Sequence, residues 1–275
     1  MKYIKRFQEH SLYEAYIVGD VFPETEGKPV VSYCKLQNEV HYNSYVPTYN
    51  LLDILYANTA GKKKVDSNVL DPSLGYTPIG ICIAETGFFG ENEPARFMSL
   101  KYMNYTTPET GSLTSQGMYW GNTGTDIHTI DNIQSENAFN DIDGKNKTIK
   151  ILNTAISQST WKTDTTIINE SGAGYAPAAC CCARYHTIGT NVDDWYLGAG
   201  GEMKQILVLY NNINTKLSQI NAVYSTDCIS SLVNSYHWSS TEYSANGVWC
   251  MDSGNNKIIN NNKGYNLLTI ALIQY

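Results

Sequence analysis

The sequence predicts an α+β fold, and three observations carry the prediction. Tyr and Thr, which suit pleated, half-exposed surfaces, number 21 and 24, while Asn and Gly, which suit turns, number 27 and 21 among 275 residues. Short apolar runs bounded by turn residues recur along the chain, and a long helical period occurs at one place, Gly201 to about Ile220. The elements follow the order strands, helix, loops, helix, strands, without the strict alternation of a parallel βαβ sheet. Only 16 % of residues are charged, against about 25 % in an average soluble protein, and with the Asn, Thr, Tyr and Gly content this excludes a coiled coil, a long helical bundle and a charge-driven disordered tail. A net charge of −7 lacks the basic footprint of a general nucleic-acid binder.

Taken in order, residues 1–45 read as a small β-rich region with strands at 14–18, 30–34 and 39–42, and turn chemistry from Pro23 to Pro29. Residues 46–74, with Pro47, the run Lys62-Lys63-Lys64 and Asp71-Pro72, read as a linker holding at most one helical turn at Leu51, Leu52 and Leu55. From Gly75 onward one larger domain is expected, to residue 275. Ile79–Ala84 and Arg96–Leu100 read as a strand and its return. Ile149, Leu152 and Ile156 space a helix over 147–157, and Ala178–Cys182 reads as a core segment. In 201–220, Met203, Ile206, Leu207, Tyr210, Ile213, Leu217 and Ile220 make one continuous helical face. Tyr236–Ser239, Val248–Met251 and Leu267–Ile273 are the closing strands.

Targeting signals and catalytic signatures are not apparent. No apolar run nears the roughly 18 residues of a membrane span, so no membrane insertion is expected. His10, Glu14 and Asp20 follow the basic start where a secretory signal would place its apolar stretch. There is no phosphate loop, dinucleotide fingerprint, zinc-protease helix or nucleophile elbow. Asp141-Ile142-Asp143-Gly144 fails as a calcium loop. With Gly144 sixth, the first and twelfth positions fall on Phe139 and Lys150, so the stretch reads as an Asp-capped turn. Asp193, Asp194 and Glu202 read as helix-start carboxylates. The seven cysteines read as buried reduced thiols, with a Cys228–Cys250 disulfide left open. No metal and no cofactor is expected, and the chain reads as a binding protein, not an enzyme.

One combined tract stands out. Asp194-Trp195-Tyr196-Leu197 leads into the amphipathic helix. Tyr236-His237-Trp238-Ser239-Ser240-Thr241-Glu242-Tyr243-Ser244 follows it, then Trp249 and a final apolar strand. With Gly75–Gly80, Met98–Leu100, Trp120-Gly121 and Asn153–Ile156 upstream, this resembles the C-type-lectin-like domain of bacterial and phage proteins over about 75–275. The resemblance implies two helices, twisted antiparallel sheets and long loops, and Trp195 and Trp238 read as core anchors because large aromatics dominate cores. Three departures matter. Gly198 replaces the usual Pro after Leu197, implying a looser approach to the helix. Glu93-Pro94 is followed by Ala95 without a Trp-Asn-Asp partner, so calcium-dependent sugar binding does not transfer. The formylglycine-generating-enzyme motif is missing.

Val31-Ser32-Tyr33-Cys34 and Asn38–Asn43 resemble the attachment segment of virion proteins of gut phages, including crAss-like ones. Together the resemblances imply a virion surface protein, a head or tail fibre or decoration component, made in the host cytoplasm. It would attach to other virion structural proteins through its N-terminal region and to a host-surface glycan or protein through the lectin-like domain. A trimeric homo-oligomer is expected. The alternatives are a purely structural capsid or tail decoration, and a bacterial adhesin or formylglycine-generating-enzyme-like protein of the same fold. Seven asparagines fall in the 24 residues from Tyr243 to Asn266, beside rigid aromatics. Amides next to aromatics are what recognition loops use, so Tyr243, Asn246, Trp249, Asn255, Asn256, Asn261 and Asn262 are the expected ligand-binding residues.

Overall fold

The computed structural model describes residues 49–121, 126, 132–155, 176–186, 192 and 194–275, together with four two-residue strands before them. The chain divides into two units, 1–48 and 49–275. In the first, β1 (Tyr3–Ile4) pairs antiparallel with β2 (Ala15–Tyr16), and β3 (Lys35–Leu36) with β4 (Glu39–Val40). β2 and β4 fall inside two of the expected strands; the expected strand at 30–34 lies outside the described residues.

The second unit begins earlier than the sequence suggests. The expected linker carries β5 (Ile54–Ala57) and β6 (Lys63–Asp66), which pair with each other, while β5 also pairs with β7 (Thr77–Ala84). All four β5 residues are fully buried. Leu52, read as part of a helical turn, instead has φ 68° at the approach to β5. Asp71 and Pro72 start a single 3₁₀ turn, with the Asp71 carboxylate accepting from the Ser73 N–H at 2.8 Å.

β7 pairs with β8 (Arg96–Tyr102), which pairs with the C-terminal strand β13 (Ile270–Gln274). β13 in turn takes β9 (Tyr196–Leu197) on its far side. This gives a six-stranded antiparallel sheet in the order β6-β5-β7-β8-β13-β9. Both faces of its inner strands are covered, so β5, β7 and β13 read as near-continuous apolar runs, while the edge strand β6 stays polar and partly exposed. Leu55, Ala57 and Phe97 belong to one core, and Ile54, Tyr56 and Met98 to the other, by strict alternation.

The second core takes the long amphipathic face: Met203, Ile206, Ile213, Leu217 and Ile220 are all fully buried. That face is carried by two consecutive helices, α3 (Gly200–Val208) and α4 (Tyr210–Asn221), with a pause at Leu209, where ψ reaches 6°. The Leu209 N–H still reaches the Gln205 carbonyl, so the face continues across the pause. The first core takes α1 (Gly144–Ala155) and α2 (Pro177–Arg184). α1 turns Ile151 and Leu152 inward, while Ile149, assigned to its apolar face from spacing, is half exposed, and Ile156 lies outside the described residues. Cys180, Cys181 and Cys182 are fully buried in α2.

Trp195 and Trp238 are buried anchors, as expected. Gly198 reflects close packing, not a looser approach: a Cβ there would sit 2.6 Å from Leu272 Cδ1 and 3.2 Å from Met203 Sδ. Glu202 closes the α3 N-terminus by accepting from the Ala199 N–H at 2.8 Å. Asp194 stands exposed at φ 75°, six residues before the helix, and Asp193 lies outside the described residues.

Candidate functional site

A second, three-stranded antiparallel sheet holds most of the expected site residues: β10 (Tyr236–Ser244), β11 (Gly247–Asp252) and β12 (Lys257–Asn262). β12 is the correction that matters most, because its asparagines form a strand where recognition loops were expected. Val248 pairs with Asn261 and Asp252 with Lys257. Asn255 and Asn256 therefore sit in the β11–β12 turn, and Asn261 and Asn262 at the far end of β12, about 17 Å away at the rise of an extended strand. Asn246, in the β10–β11 turn, lies at the Asn262 end: its carbonyl accepts from the Lys263 N–H at 3.0 Å.

Several of these amides serve the backbone locally. Asn255 Nδ2 donates to Asp252 Oδ2 at 2.8 Å, and Asn256 adopts φ 53°. Asn262 Oδ1 accepts from the Gly264 N–H at 2.8 Å. Trp249 is buried, its Nε1 donating to the Ile133 carbonyl at 2.6 Å, with Phe139 and half-buried Tyr243 edge-on at 5.6 and 5.5 Å. The seven expected residues are thus spread over two ends of a sheet and a buried aromatic cluster.

An open groove of about 590 Å³ gathers a different set: Tyr119, Tyr236, Tyr265, Asn261 and Asn266, over Ile259 and Leu267. Two indoles bolt its walls together. Trp238 Nε1 donates to the Met118 carbonyl at 2.7 Å, and Trp120 Nε1 to the Ser239 carbonyl at 2.8 Å. Met118 also pairs with Leu267, and the Trp120 N–H reaches the Lys263 carbonyl. With Met118 and Trp120 buried, the intervening Tyr119 faces outward. The turn after β12, closed by the Tyr265 N–H on the Asn262 carbonyl, leaves Tyr265 56 % exposed. Of the expected residues, Asn261 alone lines this groove. Nothing local in the sequence links Tyr119 to Tyr265; the link is made by packing.

The buried charged groups beside and behind this sheet are clamps. Fully buried Glu242 and Lys263 pair between β10 and the segment after β12, with Lys263 Nζ 4.8 Å from the Trp120 ring centre. Arg96 Nε donates to Glu202 at 2.8 Å, and its other nitrogens to Glu93 and to the Pro94 carbonyl, so Glu93-Pro94 serves to hold an arginine. The Tyr196 hydroxyl also donates to Glu202. Burial pushes the Glu202 carboxyl up to about 7 against these partners. Asp141 accepts from Lys147 and Thr241 and Asp143 accepts from Asn146, a bonded turn; no metal-holding group occurs among the described residues. The six described cysteines are buried free thiols, Cys228 and Cys250 included, and burial pushes both of these up to about 12, leaving them unreactive at neutral pH. Cys34 lies outside the described residues.

His237 gives this sheet a pH dependence. It is fully buried at the start of β10, stacked on Tyr102, with Nδ1 donating to the Ser235 carbonyl at 3.2 Å. Nε2 meets no partner among the described residues. Burial lowers its pKa to about 4, whereas the unfolded chain protonates near about 6.5. The neutral ring therefore favours the fold above 6.5, and that stability is lost as pH falls through 4. Relative to His237→Leu, the wild type should lose about 3 kcal/mol between pH 7 and pH 4. The difference cancels Glu202, whose raised carboxyl moves stability the opposite way. Denaturant titrations at the two pH values measure it, and parallel profiles for the two proteins would contradict it.

Comparison with known proteins returned no matching family model, no matching curated protein and no matching solved structure.

Proposed function

We propose that the chain is a phage virion surface protein, a head or tail fibre or decoration component, displaying a C-type-lectin-like domain for attachment to a host-surface glycan or protein. The observation that carries the attachment reading is the open groove of three tyrosines and two asparagines. Aromatic area beside adaptable amides suits recognition, and the nearby buried charges are engaged in structural pairs. The lectin-like reading is supported by how the tract is used. Trp195 and Trp238 anchor the core, Glu202 caps the helix after Leu197, and Glu242 holds β10 to the segment after β12. An α+β architecture with antiparallel sheets is compatible with that module, while the described residues hold four helices where two were expected.

In this reading residues 1–45 join other virion structural proteins. The chain assembles as a trimer at the virion surface after synthesis in the host cytoplasm, so that weak sites act together. Immunogold electron microscopy of intact particles with an antibody to this chain tests it. Label on heads or tails is the expected result. Unlabelled particles, from cells whose lysate contains the chain, would overturn it. A purely structural decoration is the second reading, favoured by the local turn roles of Asn255 and Asn262; it expects labelled particles whose purified protein does not bind host cells.

A further inference from the structure

We infer that the groove framed by Tyr119, Tyr236 and Tyr265 takes a neutral oligosaccharide, without calcium. This rests on the attachment reading and names the ligand class of that site. The volume, about 590 Å³, lies within the range of about 300–1,000 Å³ for small-ligand sites and leaves room for a short glycan. Among the described residues eight line the groove, a footprint that suits a small ligand.

The lining chemistry selects among small ligands. A pyranose ring carries C–H bonds on one face, which pack on a flat phenol ring, and hydroxyls at its rim that both donate and accept. Three tyrosine rings supply the faces, and they order at little entropic cost. A carboxamide also donates and accepts, so it can meet two adjacent hydroxyls. The Asn261 carboxamide is engaged by the protein, its Oδ1 accepting from the Asn262 N–H at 3.1 Å and its side chain bonding the Cys250 thiol, so the amide offered to a ligand is that of Asn266. Among the described residues, no hydrogen bond occupies the three tyrosine hydroxyls or the Asn266 carboxamide, so these remain open to a ligand.

Charge decides between neutral and anionic sugars. Among the described residues, no Asp, Glu, Lys or Arg lines the groove. Lys263, the nearby cation in the turn, is fully buried and paired with Glu242. A sialylated or sulfated glycan would find no counter-charge there, and a chain of net charge −7 repels it at long range. The groove also owes nothing to Glu93-Pro94, which is engaged with Arg96.

The test is an array carrying cellohexaose, maltohexaose and chitohexaose, with polysialic acid and heparin oligosaccharide as the anionic arm, probed with the full-length protein in chelator. At least one neutral probe should be retained above both anionic ones. Tyr265→Ala and Asn266→Ala should each weaken that retention at least tenfold. Tyr265 is 56 % exposed, so its variant should keep the wild-type thermal midpoint. Retention of none of the neutral probes, preference for the anionic arm, or binding indifferent to both substitutions would overturn the inference. Labelled virions together with a failed array would remove the ligand class and leave the attachment reading standing. Unlabelled virions would remove the reading itself, whatever the array shows.

Discussion

A fragment beginning at residue 75 should fail to fold, whereas one beginning at residue 49 should unfold in a single cooperative transition. The reason lies in β5. Ile54, Leu55 and Tyr56 are fully buried and contribute to both cores. At about 1.5–3 kcal/mol for each buried side chain, their removal costs about 5–9 kcal/mol. That is comparable to the whole stability of an ordinary domain, about 5–15 kcal/mol. Polar ties go with them. The Tyr56 hydroxyl donates to the Asn68 carbonyl and accepts from the Leu70 N–H, and the Tyr224 hydroxyl donates to the Leu70 carbonyl. Deletion would also bare the apolar edge of β7 to other chains. Circular dichroism melts and size-exclusion chromatography of both fragments measure this. A 75–275 fragment that melts as cooperatively as 49–275 would show that β5 and β6 are accessory.

The same segment shows where sequence reasoning stops. Ile54-Leu55-Tyr56-Ala57 is an apolar run of four, too short to separate strand from helical turn, and the basic residues after it resemble a linker. Its strand state is set by β7, whose own eight-residue run was legible. β12 was missed for a related reason. Lys257-Ile258-Ile259-Asn260-Asn261-Asn262 has two strand-favouring residues among asparagines that ordinarily mark turns. Pairing with β11 outweighs that preference. Where the signal was local and strong, the reading carried through: the amphipathic face of α3 and α4, the buried cysteine triplet, the tryptophan anchors and the capping role of Glu202. The groove is least legible of all, because Tyr119 reaches it through bonds that Met118, Trp120 and Trp238 make to residues distant in sequence.

Those two indole bonds explain why the groove can be open and still well defined. Its walls come from three separate stretches of chain, each joined to the next by hydrogen bonds behind the surface, with Trp120 and Trp238 both buried. The exposed side chains therefore carry little of the fold, while the residues that hold them carry much. Substitutions at Tyr265 or Asn266 probe binding, whereas substitutions at Trp120, Trp238, Glu242 or Lys263 probe stability, and the two sets are separable by experiment.

Replacing Lys263 by Met should cost about 3–5 kcal/mol, the usual cost of leaving one member of a buried ion pair behind. Lys263 and Glu242 are both fully buried, and the ammonium lies against the Trp120 ring. Burial works against the charged amine and lowers its pKa, while Glu242 opposes that shift. Removing the cation alone leaves a carboxylate without its counter-charge in an apolar setting. The double variant Lys263→Met with Glu242→Leu should recover most of the loss, because an apolar pair of similar volume carries no desolvation penalty. Equilibrium denaturation of the wild type, both single variants and the double variant closes the cycle. A Lys263→Met loss below about 1 kcal/mol would place the pair in the range of exposed ion pairs, in contact with water. A double variant as unstable as the single would mean that the pair sets the geometry of β10 against the turn, beyond neutralising charge.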